Sequence, residues 1–268
     1  MSTPGCLWLV PVTLGEGDAT PLIPPSTLAA INAVDCFIVE SARSARAFLK
    51  AVGYSRPLQS AQVHELGSDT ELEKLLDAIA EGQSCVLLSD AGAPCVADPG
   101  AAVVARAHER GITVSPLVGP SAILLALMAC GLEGQRFSFH GYLPVERPAL
   151  DLALRSLEQD SSASASTQLW IEAPYRNDRM LAVASEVLQA DTRLCVAVDL
   201  SLPGEAIRTS SIANWRKTPG ASIDRHPGIF LMLAASAAKP PDRTASRAPH
   251  RRMHPGASRS ARRNSRAR

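Results

Sequence analysis

The chain has 268 residues, 46% of them hydrophobic and 20% charged, with a formal net charge of +1. This is the composition of a soluble globular protein with room for one large domain or two ordinary ones. Its longest apolar runs, near 122–130 and 229–235, are far too short to span a bilayer, and Pro11 interrupts the early run Leu7 to Val12, so no membrane association and no secretory leader are expected and the protein should be cytoplasmic.

In chain order, strand and helix signals alternate through the first half, the mark of βαβ units and a largely parallel sheet. Leu7 to Val12 reads as a strand, Ser26 to Ala33 as a helix, Cys36 to Val39 as a strand, and Ser44 to Val52 as a helix stopped by Gly53. Ser68 and Glu71 form a capping-box pattern ahead of Leu72, Leu75, Leu76 and Ile79, whose spacing marks a core-facing helix ended by Gly82. Cys85 to Leu88 reads as a buried strand. Asp98 is placed to cap a helix that opens at Pro99 and closes at Gly111, before a strand at Ile112 to Leu117. Gly119 and Pro120 turn the chain, and Ser121 is placed to cap a further apolar helix.

After Gly119 the pattern changes. Strands at Phe137 to Gly141, Leu169 to Glu172, Leu194 to Leu200 and Ile229 to Leu233 are separated by few helices, one of them around Ala149 to Glu158, and the Ser-rich stretch Ser161 to Thr167 reads as a flexible loop. The expected organisation is an N-terminal α/β domain over 1–118, a C-terminal α/β domain over 119–238 and a tail over 239–268. The tail holds nine Arg, one Lys and one Asp, a net +9, which leaves −8 for residues 1–238. Such a segment cannot bury enough apolar surface to fold alone and is expected to be disordered. It reads equally as an arm that neutralises nucleic-acid phosphates and as a merely solubilising or compositional extension.

Six cysteines, Cys6, Cys36, Cys85, Cys95, Cys130 and Cys195, show no C-x-x-C pair and no His at metal spacing. They read as reduced core thiols, and no metal site is expected. His64, His108 and His226 are isolated in the sequence and read as structural or solvated.

The most informative stretch is Ser89 to Gly100 (SDAGAPCVADPG), which follows the Cys85 to Leu88 strand and precedes a helix. It therefore lies at the carboxyl end of a strand in a βαβ unit, where open α/β sheets bind ligands. Pro116 to Ala122 (PLVGPSA) supplies a second loop from a neighbouring strand end. Gly92, Ala93 and Ala97 are small enough to let backbone approach a ligand closely.

At these residues the chain resembles the tetrapyrrole-methylase superfamily, and within it the small-subunit ribosomal RNA ribose 2′-O-methyltransferases. The likeness covers residues 5–234 and rests on Leu7 to Pro11 (LWLVP), Glu40 to Arg43 (ESAR), the two loops above, Arg136-Phe137 with Gly141 to Pro144 (GYLP), and Glu172 to Arg176 (EAPYR). The resemblance implies two α/β domains, S-adenosylmethionine (SAM) in the cleft between them, and a homodimer acting on RNA or a ribosomal subunit. It assigns cofactor contacts to Pro11, Asp90, Gly92, Pro94, Val96, Ser121 and Ala122, while Asp98 reads as a cap. A ribose hydroxyl needs a positioned proton acceptor; Glu40 and Glu172 are the candidates carried forward, with His140 beside them. Arg43, Tyr175 and Arg176 are candidates for substrate contact, a guanidinium suiting phosphate or carboxylate alike.

Two segments depart from the family pattern. Glu40-Ser41-Ala42-Arg43 stands where the family has Glu-Asp-Thr-Arg, and Val198 to Leu202 (VDLSL) stands where it has Arg-Glu-Leu-Thr-Lys. An acid and a basic pair are thereby absent. Two other readings remain open at this point, a small-molecule methylase of the tetrapyrrole type and a catalytically silent RNA-binding relative.

Overall fold

Runs of four apolar residues at Cys36–Val39 and Cys85–Leu88 are buried at every position, as the inner strands of a sheet covered on both faces must be. In the computed structural model, which describes residues 5–15, 20–67 and 69–235, these runs anchor a five-stranded parallel sheet. Its elements are β1 (Cys6–Val10), α1 (Pro25–Ala33), β2 (Cys36–Val39), α2 (Ala42–Ala51), β3 (Gln62–Glu65), α3 (Asp69–Ala80), β4 (Cys85–Leu88), α4 (Ala101–Glu109) and β5 (Thr113–Pro116). The strand order is β3-β2-β4-β1-β5. Alternation along each strand sends side chains to opposite faces. Val10, Phe37, Val39, Val86 and Leu88 pack with Ile31 of α1 and Phe48 and Leu49 of α2, whereas Leu7, Ile38 and Leu87 pack with Leu76 and Ile79 of α3 and Val103 and Ala107 of α4.

The second half contains α5 (Ala122–Ala129), β6 (Phe137–Tyr142), α6 (Ala149–Ser164), β7 (Thr167–Glu172), α7 (Asn177–Val187), β8 (Arg193–Val198), β9 (Ala206–Ser211), α8 (Ile212–Lys217) and β10 (Gly228–Leu233). Its sheet has the order β6-β7-β10-β8-β9; β6 and β7 are parallel and the other pairs antiparallel. One face, with Trp170 stacked on Phe230 at 5.6 Å, is covered by α6, α7 and α8. The other, with Leu169, Cys195, Ala197, Ile229 and Leu231, packs on Ala126 of α5.

Several expectations need correction. Ser161 to Thr167 is no flexible loop: α6 runs to Ser164 and β7 begins at Thr167. Ser161 is fully buried, its hydroxyl donating to Ser166 O at 2.8 Å and accepting from Ala234 N–H at 2.9 Å, so a polar run is held in regular structure by its own side chains. The cysteines are not all reduced. Cys36 and Cys85 are paired in register on β2 and β4, with Cα atoms 4.9 Å apart, and form a disulfide, while Cys6, Cys95, Cys130 and Cys195 are free. The helix expected at Pro99 opens at Ala101, with Gly100 as its N-cap and the Asp98 carboxylate accepting from Gly100 N–H (2.9 Å) just ahead of it. Ser121 sits at the N-cap of α5 but makes no side-chain capping bond. Strands β3 and β9, unmarked by apolar runs, complete the edges of the two sheets. Ser68 and the tail 239–268 lie outside the described residues.

Candidate active site

Strands β4, β1 and β5 are neighbours, so the loops leaving their carboxyl ends meet. The contact is bonded: Val12 N–H donates to Gly92 O (2.9 Å), the Ser89 hydroxyl donates to the same oxygen (2.8 Å), and the Thr27 hydroxyl donates to Val118 O (2.9 Å). Two glycines make this approach possible. Gly92 has φ +72 and an added Cβ would stand 3.0 Å from Leu14 Cδ2; at Gly119 an added Cβ would stand 2.6 Å from Cβ of Pro11. Cys95 and Ala97 adopt φ +68 and +62, which costs a non-glycine residue roughly 1–2 kcal/mol each. Such strain collects at functional loops.

The loops face a cavity of about 340 Å³. One wall is the 89–100 loop with Glu40 at the end of β2; the opposite wall comes from the second sheet and α5, through Ala122, Ile123, Phe139, Ile171, Ala197 and Ile229. Of the residues expected to contact a cofactor, Asp90, Gly92, Val96, Ser121 and Ala122 line it. Pro11 and Pro94 do not; both are buried, Pro11 packed against Gly119. Glu40 and Glu172 both line the cavity, as does Asp98. Arg43, Tyr175 and Arg176 do not, and His140 is exposed on β6, its Nε2 2.7 Å from Gln168 Oε1. The apolar wall escaped sequence reasoning, because its strand residues Phe139, Ile171, Ala197 and Ile229 come from four strands, and the face they share exists only once those strands are paired.

The carboxylates differ in environment. Glu40 is pushed above the ordinary carboxylate range, chiefly by burial, then by the charges of Asp98 and Asp90 and a side-chain hydrogen bond with Asp98, against which an Asp90 N–H bond acts. Glu172 is tied down: Oε1 accepts from Ala173 N–H (2.7 Å) and from Arg176 Nε–H (2.9 Å), with Arg176 Nη2 in closer contact. Glu40 is the candidate proton acceptor, and Glu172 is held in place by Ala173 N–H and Arg176 on the far wall. Of the three histidines isolated in the sequence, two have partners, His64 with Glu71 (2.8 Å) and His226 with Asp199 (2.5 Å), both outside this cavity, and His108 has none among the described residues.

The family model described as Tetrapyrrole (Corrin/Porphyrin) Methylases matches residues 8–216. A protein of Xylella fastidiosa named Ribosomal RNA small subunit methyltransferase I is 30% identical over 239 residues, 89% of this chain and 84% of that protein. Its namesake in Mesorhizobium japonicum is 34% identical over 206 residues, 77% of this chain and 67% of that protein. Among solved structures, diphthine synthase superposes with TM-score 0.57 at 17% identity over 85% of this chain and 89% of that one, and the methyltransferase CobJ with 0.56 at 18% over 87% and 95%. These last two speak for the fold alone. The chain belongs to the tetrapyrrole (corrin/porphyrin) methylase family, and its activity is methyl transfer.

Proposed function

We propose that the protein transfers a methyl group from S-adenosylmethionine to a ribose 2′-hydroxyl of small-subunit ribosomal RNA, with residues 1–118 and 119–238 as two α/β halves and the cofactor in the cleft between them. The observation that carries this reading is the cavity itself, whose one wall is the close-approach loop at β4 and whose other wall is the apolar face of the second sheet. Its volume falls in the range of small-molecule sites, ~300–1,000 Å³. Gly92 admits backbone to within contact of a ligand, and Glu40, Asp90 and Asp98 offset the positive charge of a sulfonium and an amine. The residues present thus fit the cofactor. Asp90, Gly92, Val96, Ser121 and Ala122 would hold it, and the buried prolines Pro11 and Pro94 would stiffen the backbone there. When bound, SAM supplies an electrophilic methyl on sulfur.

The chain's own part is alignment, exclusion of water and handling of one proton. Ile171, Ala197 and Ile229 make the far wall dry. Glu40 accepts the hydroxyl proton, its raised pKa making it a stronger base than an ordinary carboxylate. The relatives named as small-subunit rRNA methyltransferases support the choice of substrate class.

A homodimer completes the reading. Val118, Leu124 and Met128 are 72%, 55% and 79% exposed on and beside α5, an apolar surface suited to a second copy. The tail 239–268, at +9, offsets the −8 of the rest of the chain toward a polyanion.

The test is to incubate the full chain with isotopically labelled SAM and unmodified small-subunit rRNA transcribed in vitro, alone and in reconstituted subunits. Nuclease digestion and mass spectrometry then locate the label. A 2′-O-methylated nucleotide is expected. SAM binding with methylation of an added tetrapyrrole and none of RNA would replace this reading with the small-molecule one, and binding without turnover on either would favour a silent relative.

A further inference from the structure

The cavity is acidic at its rim: Glu40, Asp90 and Asp98 meet there. A phosphate backbone cannot lie across that rim without repulsion, so a polynucleotide presented to it must be held elsewhere. The described residues offer one place directly beside it. Helix α2 begins two residues after Glu40, with Ser41 as its N-cap and its first N–H bound by Glu65 Oε1 at 2.7 Å. It buries Ala45, Phe48 and Leu49 against the sheet. The opposite face carries Arg43, Arg46 and Lys50 at i, i+3 and i+7, all exposed, and the helix holds no acidic residue.

Arg43, Arg46 and Lys50 have no ion pair among the described residues, a state they share with exposed cations such as Lys74 and Lys217; what sets the stripe apart is that its three cations share one helix face that starts two residues from Glu40. Arg43 also stands in the first turn of the helix, where the positive end of the dipole disfavours cations and acidic residues belong. That position is a poor one for helix stability and a good one for binding an external anion.

We propose that the outer face of α2 is the track on which the target RNA strand lays its phosphates, with Arg43 nearest the cavity and Arg46 and Lys50 leading away from it, so that one ribose is delivered to Glu40. This rests on the reading of the protein as an RNA methyltransferase. The span from Arg43 to Lys50 is ~10 Å along the helix, and the contacts are to backbone, which positions a strand without reading its sequence. The acidic rim and the basic helix divide the work: the rim favours a cationic cofactor and rejects phosphate, and the helix holds what the rim rejects.

The experiment compares the full-length wild type with Arg46→Gln/Lys50→Gln and with Lys74→Gln/Lys217→Gln, which removes the same charge from exposed positions on α3 and α8. Binding to unmodified small-subunit rRNA is measured against salt, methylation against RNA concentration, and SAM affinity by calorimetry. At ~0.7 power of salt per single-strand phosphate contact, the α2 variant should lose about 1.4 from the salt slope. Its KM for RNA should rise roughly tenfold or more at 0.1 M salt, with SAM affinity unchanged and the control close to wild type. A wild-type slope and KM in the α2 variant, or equal losses in the control, would overturn the assignment of α2 while leaving the enzyme an RNA methyltransferase. A wild type that neither binds nor methylates RNA would bring down both readings together.

Discussion

Arg176 donates its Nε–H to Oε1 of Glu172 at 2.9 Å across one turn, and the carboxylate it holds is 4% exposed on the cavity wall. The guanidinium that the motif Glu172 to Arg176 offers as a substrate contact is thus engaged within the motif. Removing one partner of a buried pair leaves an uncompensated charge, at a cost of ~3 kcal/mol or more. Arg176→Gln should lower unfolding free energy by about that amount, read by urea denaturation, and Glu172→Gln/Arg176→Gln should recover most of it. Equal stability of Arg176→Gln and wild type would show the pair to be incidental.

The raised pKa of Glu40 has a sign that can be tested. If Glu40 must be ionised to accept the hydroxyl proton, kcat/KM rises with pH through its pKa and then levels, the acid limb lying above the ordinary carboxylate range. Asp98→Asn removes a like charge and changes the hydrogen bond that raises Glu40, so the limb should move to lower pH. An unmoved limb would assign it to another group. The same shift acts on stability with the opposite slope: a carboxyl raised in the folded state contributes stability below its unfolded pKa and loses it as pH rises through the folded one.

Gly92→Val should abolish SAM binding in a protein that still folds, since the residue lies at φ +72 and its added Cβ would crowd Leu14. Gly119→Ala should act through the neighbouring loop, where Pro11 leaves no room for a methyl group. Calorimetry with circular dichroism distinguishes a lost site from a lost fold. Wild-type affinity in both variants would place the cofactor elsewhere.

Thiol counting tests the Cys36–Cys85 bond. Alkylation in denaturant without reductant should label Cys6, Cys95, Cys130 and Cys195 only, and all six cysteines after reduction. In the native protein Cys195 should resist labelling at pH 8, because burial pushes its thiol up to about 11. Six labelled cysteines without reductant would mean that the pair is reduced in solution.

Met128→Glu, or Leu124→Glu, places a charge in the exposed apolar surface of α5. Light scattering of the wild type should give twice the 28.3 kDa chain mass, and of either variant a single chain mass. A monomeric wild type would end the dimer reading.

Local pattern was enough to locate Cys36–Val39 and Cys85–Leu88 to the residue, because inner strands of a parallel sheet are apolar at every position and are bounded by polar turns. It also placed the Ser89 to Gly100 loop at a strand end, while the family resemblance singled out Asp90, Gly92 and Val96, which line the cavity. It failed at Ser161 to Thr167, where composition suggested a loop and buried hydroxyl bonds to Ser166 and Ala234 hold regular structure instead.

What the amino-acid order alone determined, then, is whatever depends on neighbours a few residues apart: helix faces, strand runs, turns, and the charge contrast between tail and body. Tertiary structure decided what depends on residues far apart. Cys36 meets Cys85 only because β2 and β4 pair in register. The Glu40 carboxyl is raised by burial and then by the charges of Asp98 and Asp90, which arrive from another strand end. The dry wall of Ile171, Ala197 and Ile229 exists only where three strands lie side by side. Such contacts follow from chain closure over tens of residues, and no short-range periodicity encodes them.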